Sequence, residues 1–293
     1  MGEDRWIAVT VEDDVADVVI DRREKRNALN LAMWERLEEV FADLSLRRDV
    51  RVAVLRGTDG TSFSAGADIA EFAQHRGNPE AAKRYDAAMH RAVRAIQAVP
   101  YPTVAVLAGY CLGGGTQLAI ACDLRFADAS LQLGIPPARL GVVYPVEHTA
   151  MLIDLVGPSR AKDLIYSARL LTAQEAYAIG LVDRLWPVGD LLPGARAAVR
   201  QMADNAPNTL AGAKVMVGAL TSRAGLGQQE LQRLVQDSVT SAEYREGIRA
   251  FMEKRPPRFR TVDQQVPGRG WQQNAPGSKP AVNNPSDETN TAD

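Results

Sequence analysis

The amino-acid sequence predicts an α/β core, followed by a helical region and a polar tail. Short apolar runs typical of strands alternate with segments whose apolar residues recur at helical spacing. From Leu191 onward, helical spacing continues without a strand-like run. The chain has 293 residues, of which 46% are hydrophobic and 24% are charged. This length and composition suit one large core or two modest ones.

The first predicted elements are two strands and a helix. Residues Trp6–Val11 and Val15–Asp21 alternate between apolar and polar side chains, as half-buried strands do. Asn30 occupies a helix N-cap position, and residues 31–46 carry apolar side chains at helical spacing. Further strands are predicted at Arg51–Arg56, Thr103–Leu107 and Leu124–Ala127. Strands alternating with helices favour a parallel sheet.

Helices are predicted between and after these strands. In the α/β part they span Asp68–Gln74, Pro79–Val99, Gly115–Cys122 and Pro145–Val156. In the C-terminal part they span Leu191–Asn205, Thr209–Leu220, Gly227–Ser241 and Ala242–Lys254. After about residue 260 the composition becomes too polar to bury a core, which predicts disorder. We therefore expect a core over residues 1–190, a helical region over 191–260 and a disordered tail over 261–293.

Charge and cysteine usage exclude several classes of function. Lys and Arg number 34 and Asp and Glu number 36, so neither nucleic acid nor an anionic membrane is an expected partner. Cys111 and Cys122 lack metal-ligand spacing, so we expect reduced thiols and no metal. The N-terminus lacks a signal-peptide pattern, and no apolar run approaches the roughly 20 residues of a membrane span. The predicted location is the cytoplasm.

Two segments of small residues predict a ligand site. Residues 62–69 (SFSAGADI) and 108–119 (AGYCLGGGTQLA) each follow a predicted strand. Small residues let backbone N–H groups approach a ligand, and a helix N-terminus presents free N–H groups. The second segment has neither the Lys-Ser/Thr of a phosphate-binding loop nor the GxGxxG spacing of a dinucleotide site. A tight turn packing a helix on a strand is the structural alternative.

Together these segments resemble two motifs of the crotonase superfamily, the enoyl-CoA hydratases and isomerases. Residues 23–29 (REKRNAL) resemble the family's N-A-L segment, and residues 246–255 (EGIRAFMEKR) resemble its EGxxAFxEKR helix. The four matches occur in order between about residues 5 and 260. The resemblance implies a crotonase-like spiral of ββα units with a C-terminal helical trimerisation region. It also implies a homotrimer or a dimer of trimers.

The resemblance further implies an acyl-coenzyme A substrate, with coenzyme A as part of the substrate rather than a prosthetic group. By position, the backbone N–H groups of Ala67 and Gly114 would form an oxyanion hole for a thioester enolate. The coenzyme A phosphates would lie near Lys25 or Arg26. Other implied coenzyme A contacts are Ala28, the adenine-binding residues Ala65, Asp68 and Ile69, and Phe251 and Lys254 of a neighbouring subunit.

The chain departs from the hydratase pattern at two positions. Hydratases of this family carry one glutamate three residues after the oxyanion glycine and another in an FGxPE-type segment. Gln117 and Pro137 occupy these positions here. Hydration needs one group to accept a proton from water and one to deliver a proton to carbon. Gln117 can orient a water or a thioester but is no base, so the ordinary hydratase mechanism is not expected.

A local resemblance points to another reaction. Residues 140–144 (LGVVY) are similar to the LGxxY stretch of methylmalonyl-CoA decarboxylases, whose tyrosine contacts the substrate carboxylate. Tyr144 takes that position, with packing or hydrogen bonding as its alternative role. Loss of CO2 itself generates the enolate, so this reaction needs no glutamate pair. The match is incomplete, because those enzymes can carry His where this chain has Ala67.

Glu147, His148 and Glu71 are candidates for relocated acid–base groups. Glu147 equally suits a helix-start acid stabilised by the helix dipole. Successive helical residues point about 100° apart, so Glu147 and His148 would not face the same atom. His90 is expected to be solvated. The open functions are decarboxylation of a malonyl-type thioester, hydration, dehydration or isomerisation of an enoyl thioester, acyl-CoA binding without catalysis, and a structural partner role.

Overall fold

The computed structural model describes residues 6–58, 60–68, 70–71, 79–140, 143–221, 233, 237 and 241–259. Its strands are β1 (Ile7–Glu12), β2 (Val15–Ile20), β3 (Val52–Gly57), β4 (Ser62–Ser64), β5 (Thr103–Leu107), β6 (Tyr110–Leu112), β7 (Leu124–Asp128), β8 (Gln132–Gly134), β9 (Leu170–Thr172) and β10 (Arg184–Trp186). Its helices are α1 (Leu31–Leu46), α2 (Pro79–Ala98), α3 (Gly114–Ala121), α4 (Val146–Ser167), α5 (Ala173–Ala178), α6 (Leu191–Ala203), α7 (Pro207–Thr221) and α8 (Ala242–Met252). The predicted α/β class is confirmed.

The strands form two sheets. The larger sheet has the order β1-β2-β3-β5-β7-β10, and the smaller has the order β4-β6-β8-β9. β1 and β2 form an antiparallel hairpin whose turn residues, Asp13 and Asp14, have φ of 52° and 67°. Positive φ at both turn residues is typical of the hairpin turns that match strand twist. Every later pairing in the larger sheet is parallel.

Three successive ββα units connect the sheets: β3-β4-α2, β5-β6-α3 and β7-β8-α4. In each unit the first strand joins the larger sheet and the second strand joins the smaller one. The spiral of ββα units implied by the family resemblance is therefore confirmed. The smaller sheet was not predicted from the sequence, because its strands are only three residues long and two of them, β4 and β6, lie within the small-residue segments.

Both faces of the central strands β3 and β5 are buried, which explains why these strands are apolar at nearly every position. Ala53 and Leu55 of β3 belong to the main core, whereas Val52 and Val54 belong to a second cluster. Helix α6 covers this second cluster with apolar residues that recur along one of its faces. The first helix after the predicted boundary at residue 190 thus packs directly on the sheet.

Several predicted helix features appear in the structure. The Asn30 side chain accepts a hydrogen bond from the Met33 N–H and caps α1, as predicted. The helix predicted to end at Val156 is the first part of α4, which is interrupted at Gly157 (φ 78°, ψ 165°) before Pro158. Among the described residues, the model contains no helix that is both long and apolar enough to cross a bilayer.

Other predictions lie wholly or partly outside the described residues. Only residues 233 and 237 of the helix predicted at Gly227–Ser241 are described, and both are helical. For the helix predicted at Asp68–Gln74, residues 70–71 are helical and residues 69 and 72–74 are not described. The predicted tail over residues 261–293 also lies outside the described part of the chain.

Candidate active site

Residues 26–29 and residues 64–68 run side by side, which brings the N-A-L segment against the first small-residue segment. The hydrogen bonds between them are Ala65 N to Arg26 O (2.9 Å), Ser64 Oγ to Asn27 O (2.7 Å), Leu29 N to Gly66 O (2.7 Å) and Asp68 N to Leu29 O (2.8 Å). Because Gly66 and Asp68 both bond to Leu29, the N–H of Ala67 between them points to the other side. No acceptor for it occurs among the described residues.

The N–H of Gly114 is also available, because Gly114 is the first residue of α3. The first N–H groups of a helix have no intrahelical acceptor. A Cβ atom placed on Gly114 would lie 3.4 Å from the Ala67 amide nitrogen, and one placed on Gly66 would lie 3.2 Å from the Gly114 amide nitrogen. The amides of Ala67 and Gly114 are therefore neighbours at the N-terminus of a helix.

Trp34 of α1 packs against Gly114 and leaves no room for a side chain there. A Cβ atom on Gly114 would lie only 2.9 Å from Cζ2 of Trp34. The indole N–H of Trp34 donates to the Tyr85 hydroxyl (3.0 Å), which in turn donates to the Leu29 carbonyl (3.0 Å). Sequence analysis missed Trp34 and Tyr85, because each has the ordinary spacing of an apolar helix residue.

Two carboxylates anchor the segment that carries Ala67. Asp68 Oδ2 lies 2.9 Å from Arg22 Nη1 in a largely buried ion pair, and its Oδ1 accepts from the Ala70 N–H at 3.1 Å. Glu71 accepts a hydrogen bond from the N–H of Leu31 (2.8 Å), so its carboxylate faces the N-terminus of α1. Arg22 was not recognised as a site-supporting residue, and no local sequence signal marks it.

A buried polar cluster lies near the two amides. Gln117 is on α3 one turn after Gly114, Tyr144 precedes α4, and His148 is in the first turns of α4. These side chains are 5%, 6% and 0% exposed. Among the described residues, no hydrogen-bond partner is found for Gln117 Oε1, the Tyr144 hydroxyl or either ring nitrogen of His148. Each buried polar group left unpaired costs about 1–3 kcal/mol, which makes this cluster a candidate ligand contact.

Burial also determines the charge of this cluster. It raises the pKa of the Tyr144 hydroxyl, and the nearby Gln117 amide opposes the rise only in part. The Tyr144 and Gln117 side chains are close together, but they do not form a hydrogen bond with each other. Burial, followed by the charge of His90, lowers the pKa of His148 to about 4, against the opposing effect of Glu147. Near neutral pH the cluster therefore carries no charge.

Glu147 faces away from the cluster. Its side chain is 44% exposed, forms an ion pair with Arg94 on α2 and lies within hydrogen-bonding distance of His90 Nδ1 (3.0 Å). The hydrogen bond from Arg94 holds the pKa of Glu147 below its usual value. The two neighbours Glu147 and His148 thus point in different directions, as helical geometry predicts. This position favours the helix-start interpretation of Glu147 over an acid–base role.

His90 differs from its prediction as a solvated residue. Its ring is half-buried and stacks on His148, with 5.0 Å between ring centroids and 17° between ring planes. Pro137, in one of the two hydratase glutamate positions, is buried at the start of a short helical turn over Pro137–Leu140. The other such position is Gln117, so the polar cluster contains no carboxylate.

The residues implied in coenzyme A binding occupy several places. Lys25 and Arg26 are exposed at the edge of the 26–29 segment, and the Arg26 guanidinium lies 5.1 Å from the centre of the Tyr110 ring. Ala28 is buried and its carbonyl accepts from Arg22 (2.9 Å), whereas Ala65 is half-buried. Phe251 and Lys254 are exposed at the end of α8. Ile69 lies outside the described residues.

Comparisons with known proteins give one consistent family. The family model "Enoyl-CoA hydratase/isomerase" matches residues 10–262. A relative from Thermus thermophilus is provisionally named an enoyl-CoA hydratase. It is 38% identical over 251 residues, which are 84% of this chain and 97% of the relative. A crotonyl-CoA hydratase from Syntrophomonas wolfei is 31% identical over 261 residues, 86% of this chain and 97% of the relative. A crystal structure of an enoyl-CoA hydratase/carnithine racemase from Magnetospirillum magneticum, 33% identical, has a TM-score of 0.83 and covers 87% of this chain and 95% of that chain.

Proposed function

The chain belongs to the enoyl-CoA hydratase/isomerase family, and from this premise we propose that it is an enzyme that acts on an acyl-coenzyme A thioester through an enolate. The observation that carries the proposal is the adjacency of the Ala67 and Gly114 amides, neither of which has an acceptor among the described residues. Two such donors directed at one oxygen stabilise the charge that develops there. In comparable sites, one donor contributes about 3 kcal/mol.

The proposed reaction is decarboxylation of a malonyl-type thioester. The bond between Cα and the carboxylate carbon breaks, CO2 leaves, and the electron pair moves into the enolate held by the two amides. A proton from solvent then adds to Cα. This sequence needs no carboxylate base before the bond breaks, which agrees with Gln117 and Pro137 in the glutamate positions. Hydration, in contrast, needs an acid and a base from the start.

Tyr144 is proposed to orient the departing carboxylate. Its buried hydroxyl has no hydrogen-bond partner within the described ranges, and it lies close to Gln117, one helical turn from Gly114. Its pKa is raised, so the hydroxyl keeps its proton and can donate a hydrogen bond near neutral pH. A donor at this position can hold the carboxylate perpendicular to the thioester plane, where the breaking bond aligns with the π system of the enolate.

The coenzyme A contacts and the oligomer belong to the same proposal. Lys25 and Arg26 are exposed beside the 64–68 segment, as groups that bind phosphates must be. Ala28, Ala65, Asp68 and Ile69 are proposed to line the adenine end, with Asp68 contributing backbone atoms because its carboxylate binds Arg22. Phe251, whose side chain is 81% exposed, and Lys254 are proposed to reach the coenzyme A of a neighbouring subunit.

The test is turnover of malonyl-, methylmalonyl- and crotonyl-CoA, followed by CO2 release and by loss of the enoyl absorbance. We expect CO2 release from a malonyl-type thioester and a fall of at least about tenfold in kcat for Tyr144→Phe, equivalent to about 1.4 kcal/mol in the transition state. Tyr166→Phe is the matched control, because Tyr166 is an exposed tyrosine on α4.

Other results would redirect the proposal. Loss of enoyl absorbance without CO2 release would indicate hydration with relocated groups, among which His148 lies in the cluster and Glu147 does not. Tight binding of all three thioesters without turnover would identify an acyl-CoA binding protein. If Tyr144→Phe turns over a malonyl-type thioester normally, the role proposed for Tyr144 is wrong, but the proposed decarboxylation stands.

A further inference from the structure

His148 is the most unusual buried polar group of the site. Its side chain is fully buried, yet neither ring nitrogen has a hydrogen-bond partner in the part of the chain that the structure describes. A neutral imidazole carries one donor and one acceptor, so both functions are unsatisfied here. Burying a histidine in this way is costly unless a bound molecule supplies the missing contacts.

Two aromatic rings pack against His148 without hydrogen-bonding to its nitrogens. His90 stacks on it with parallel planes, and the Tyr144 ring is tilted by 53° at a centroid distance of 5.9 Å. The His90 contact engages a face of the imidazole, whereas the nitrogens and their hydrogen-bonding directions lie in the ring plane. The two neighbours therefore hold the ring in place without satisfying its nitrogens.

We propose that His148 contacts substrate and, with Tyr144, selects acyl thioesters that carry a free carboxylate on the carbon next to the thioester. This inference rests on the proposed function. His148 and Tyr144 offer an imidazole N–H and a phenol O–H, both buried and without an acceptor among the described residues. A carboxylate has two oxygens that accept about four hydrogen bonds, so it can accept from both donors. A plain alkyl group would leave both donors unpaired.

The uncharged state of the cluster suits this role. The charged and titratable neighbours of His148 are His90, stacked on it, Glu147, next in the chain, and Tyr144. Burial and His90 oppose the ring's protonation more than Glu147 favours it. In the transition state, negative charge moves from the carboxylate to the thioester oxygen. A cation beside the carboxylate would therefore stabilise the ground state more than the transition state and would slow the reaction. Neutral donors orient the carboxylate with less of this penalty.

The experiment compares binding of sulfoacetyl-CoA, whose sulfonate cannot leave as CO2, with binding of propionyl-CoA, which lacks the anionic group. His148→Phe keeps a ring of similar shape and removes both nitrogens. Isothermal titration calorimetry is expected to show at least about a tenfold loss of sulfoacetyl-CoA affinity and less than about a twofold change for propionyl-CoA. His148→Gln, which restores a neutral donor, is expected to recover part of the loss. His90→Phe is the control, because it changes the ring that stacks on His148 and leaves both His148 nitrogens in place.

The outcomes separate this inference from the function on which it rests. Equal losses for both ligands in His148→Phe would indicate a packing role and overturn the inference, as would no loss for either. If the wild-type chain binds both ligands equally well, the selectivity is absent but the acyl-CoA proposal stands. If it binds neither ligand and turns over no acyl-CoA, the proposed function itself fails.

Discussion

At the scale of single residues, Gly114 is constrained by both packing and the proposed chemistry. Gly114→Ala would place a methyl group 2.9 Å from Trp34 Cζ2 and 3.4 Å from the Ala67 amide nitrogen. We expect a loss of about 1–3 kcal/mol in the free energy of unfolding, as for other overpacked positions. Turnover is expected to fall as well, because the methyl group disturbs the paired amides. Urea unfolding and steady-state kinetics measure the two effects.

Gly212→Ala is the matched control for this substitution. Gly212 lies within α7, and a methyl group there meets no atom within 4 Å. Replacing a helical glycine with alanine, where the methyl group meets no other atom, stabilises a protein by about 0.5–1 kcal/mol. If Gly114→Ala gains stability as Gly212→Ala does, then the packing of Trp34 does not exclude a side chain at position 114.

The buried His148 ring leads to a second prediction, which concerns how the free energy of unfolding depends on pH. The pKa of an unfolded histidine is about 6.5, whereas that of folded His148 is lowered to about 4. Between these values the unfolded chain binds more protons, so stability rises with pH. The folded state therefore loses on the order of 3 kcal/mol as the pH falls through this window.

Urea unfolding of wild type and His148→Phe between about pH 7 and pH 4 isolates this contribution, since other acid-sensitive groups are common to both. The wild-type chain should lose stability more steeply than the variant as the pH falls. Parallel curves would mean that the buried imidazole does not resist protonation in the folded state.

At the scale of elements, the Arg22–Asp68 ion pair connects the segment after β2 to the segment that presents the Ala67 amide. Asp68→Asn would leave the buried Arg22 guanidinium without its charge partner. Breaking a buried pair in this way costs about 3–5 kcal/mol. Because residues 64–68 would shift, we also expect weaker acyl-CoA binding, measured by calorimetry beside chemical denaturation.

Asp163→Asn is the control for that prediction. Asp163 forms an exposed pair with Arg169 at 3.3 Å, and such pairs contribute at most about 1 kcal/mol. Equal losses in the two variants would show that the Arg22–Asp68 pair has no special role in holding the segment. A loss of stability in Asp68→Asn with unchanged acyl-CoA affinity would show that the pair does not position the Ala67 amide.

At the scale of the whole molecule, the exposed apolar side chains of α7 and α8 point to self-association. The most exposed of these are Val217, Leu220, Ile248, Phe251 and Met252. Clustered apolar side chains on a surface commonly mark an interface. We expect trimers or dimers of trimers in sedimentation velocity, and a shift towards monomer in Phe251→Glu, because burying an unpaired carboxylate is costly.

The control is Leu46→Glu, since Leu46 is an exposed apolar residue at the end of α1. It should leave the assembly unchanged. A wild-type chain that sediments as a monomer would contradict the oligomer and, with it, the contacts proposed for Phe251 and Lys254 in a neighbouring subunit.

Several elements of this protein could be predicted from local sequence patterns. Apolar spacing identified α1 and its Asn30 cap, and short apolar runs identified β3, β5 and β7. Small residues after β3 and β5 also marked both segments of the candidate site. These signals are readable because capping, periodicity and close backbone approach depend on residues near in sequence.

The contacts between these elements became visible in the folded chain. The adjacency of the Ala67 and Gly114 amides, the packing of Trp34 on Gly114 and the Arg22–Asp68 pair join residues far apart in the chain. The fold also turns His148 inward and Glu147 outward, although the two are neighbours in sequence. The physical reason is that these contacts depend on how successive ββα units stack, and no local pattern of side chains encodes that arrangement.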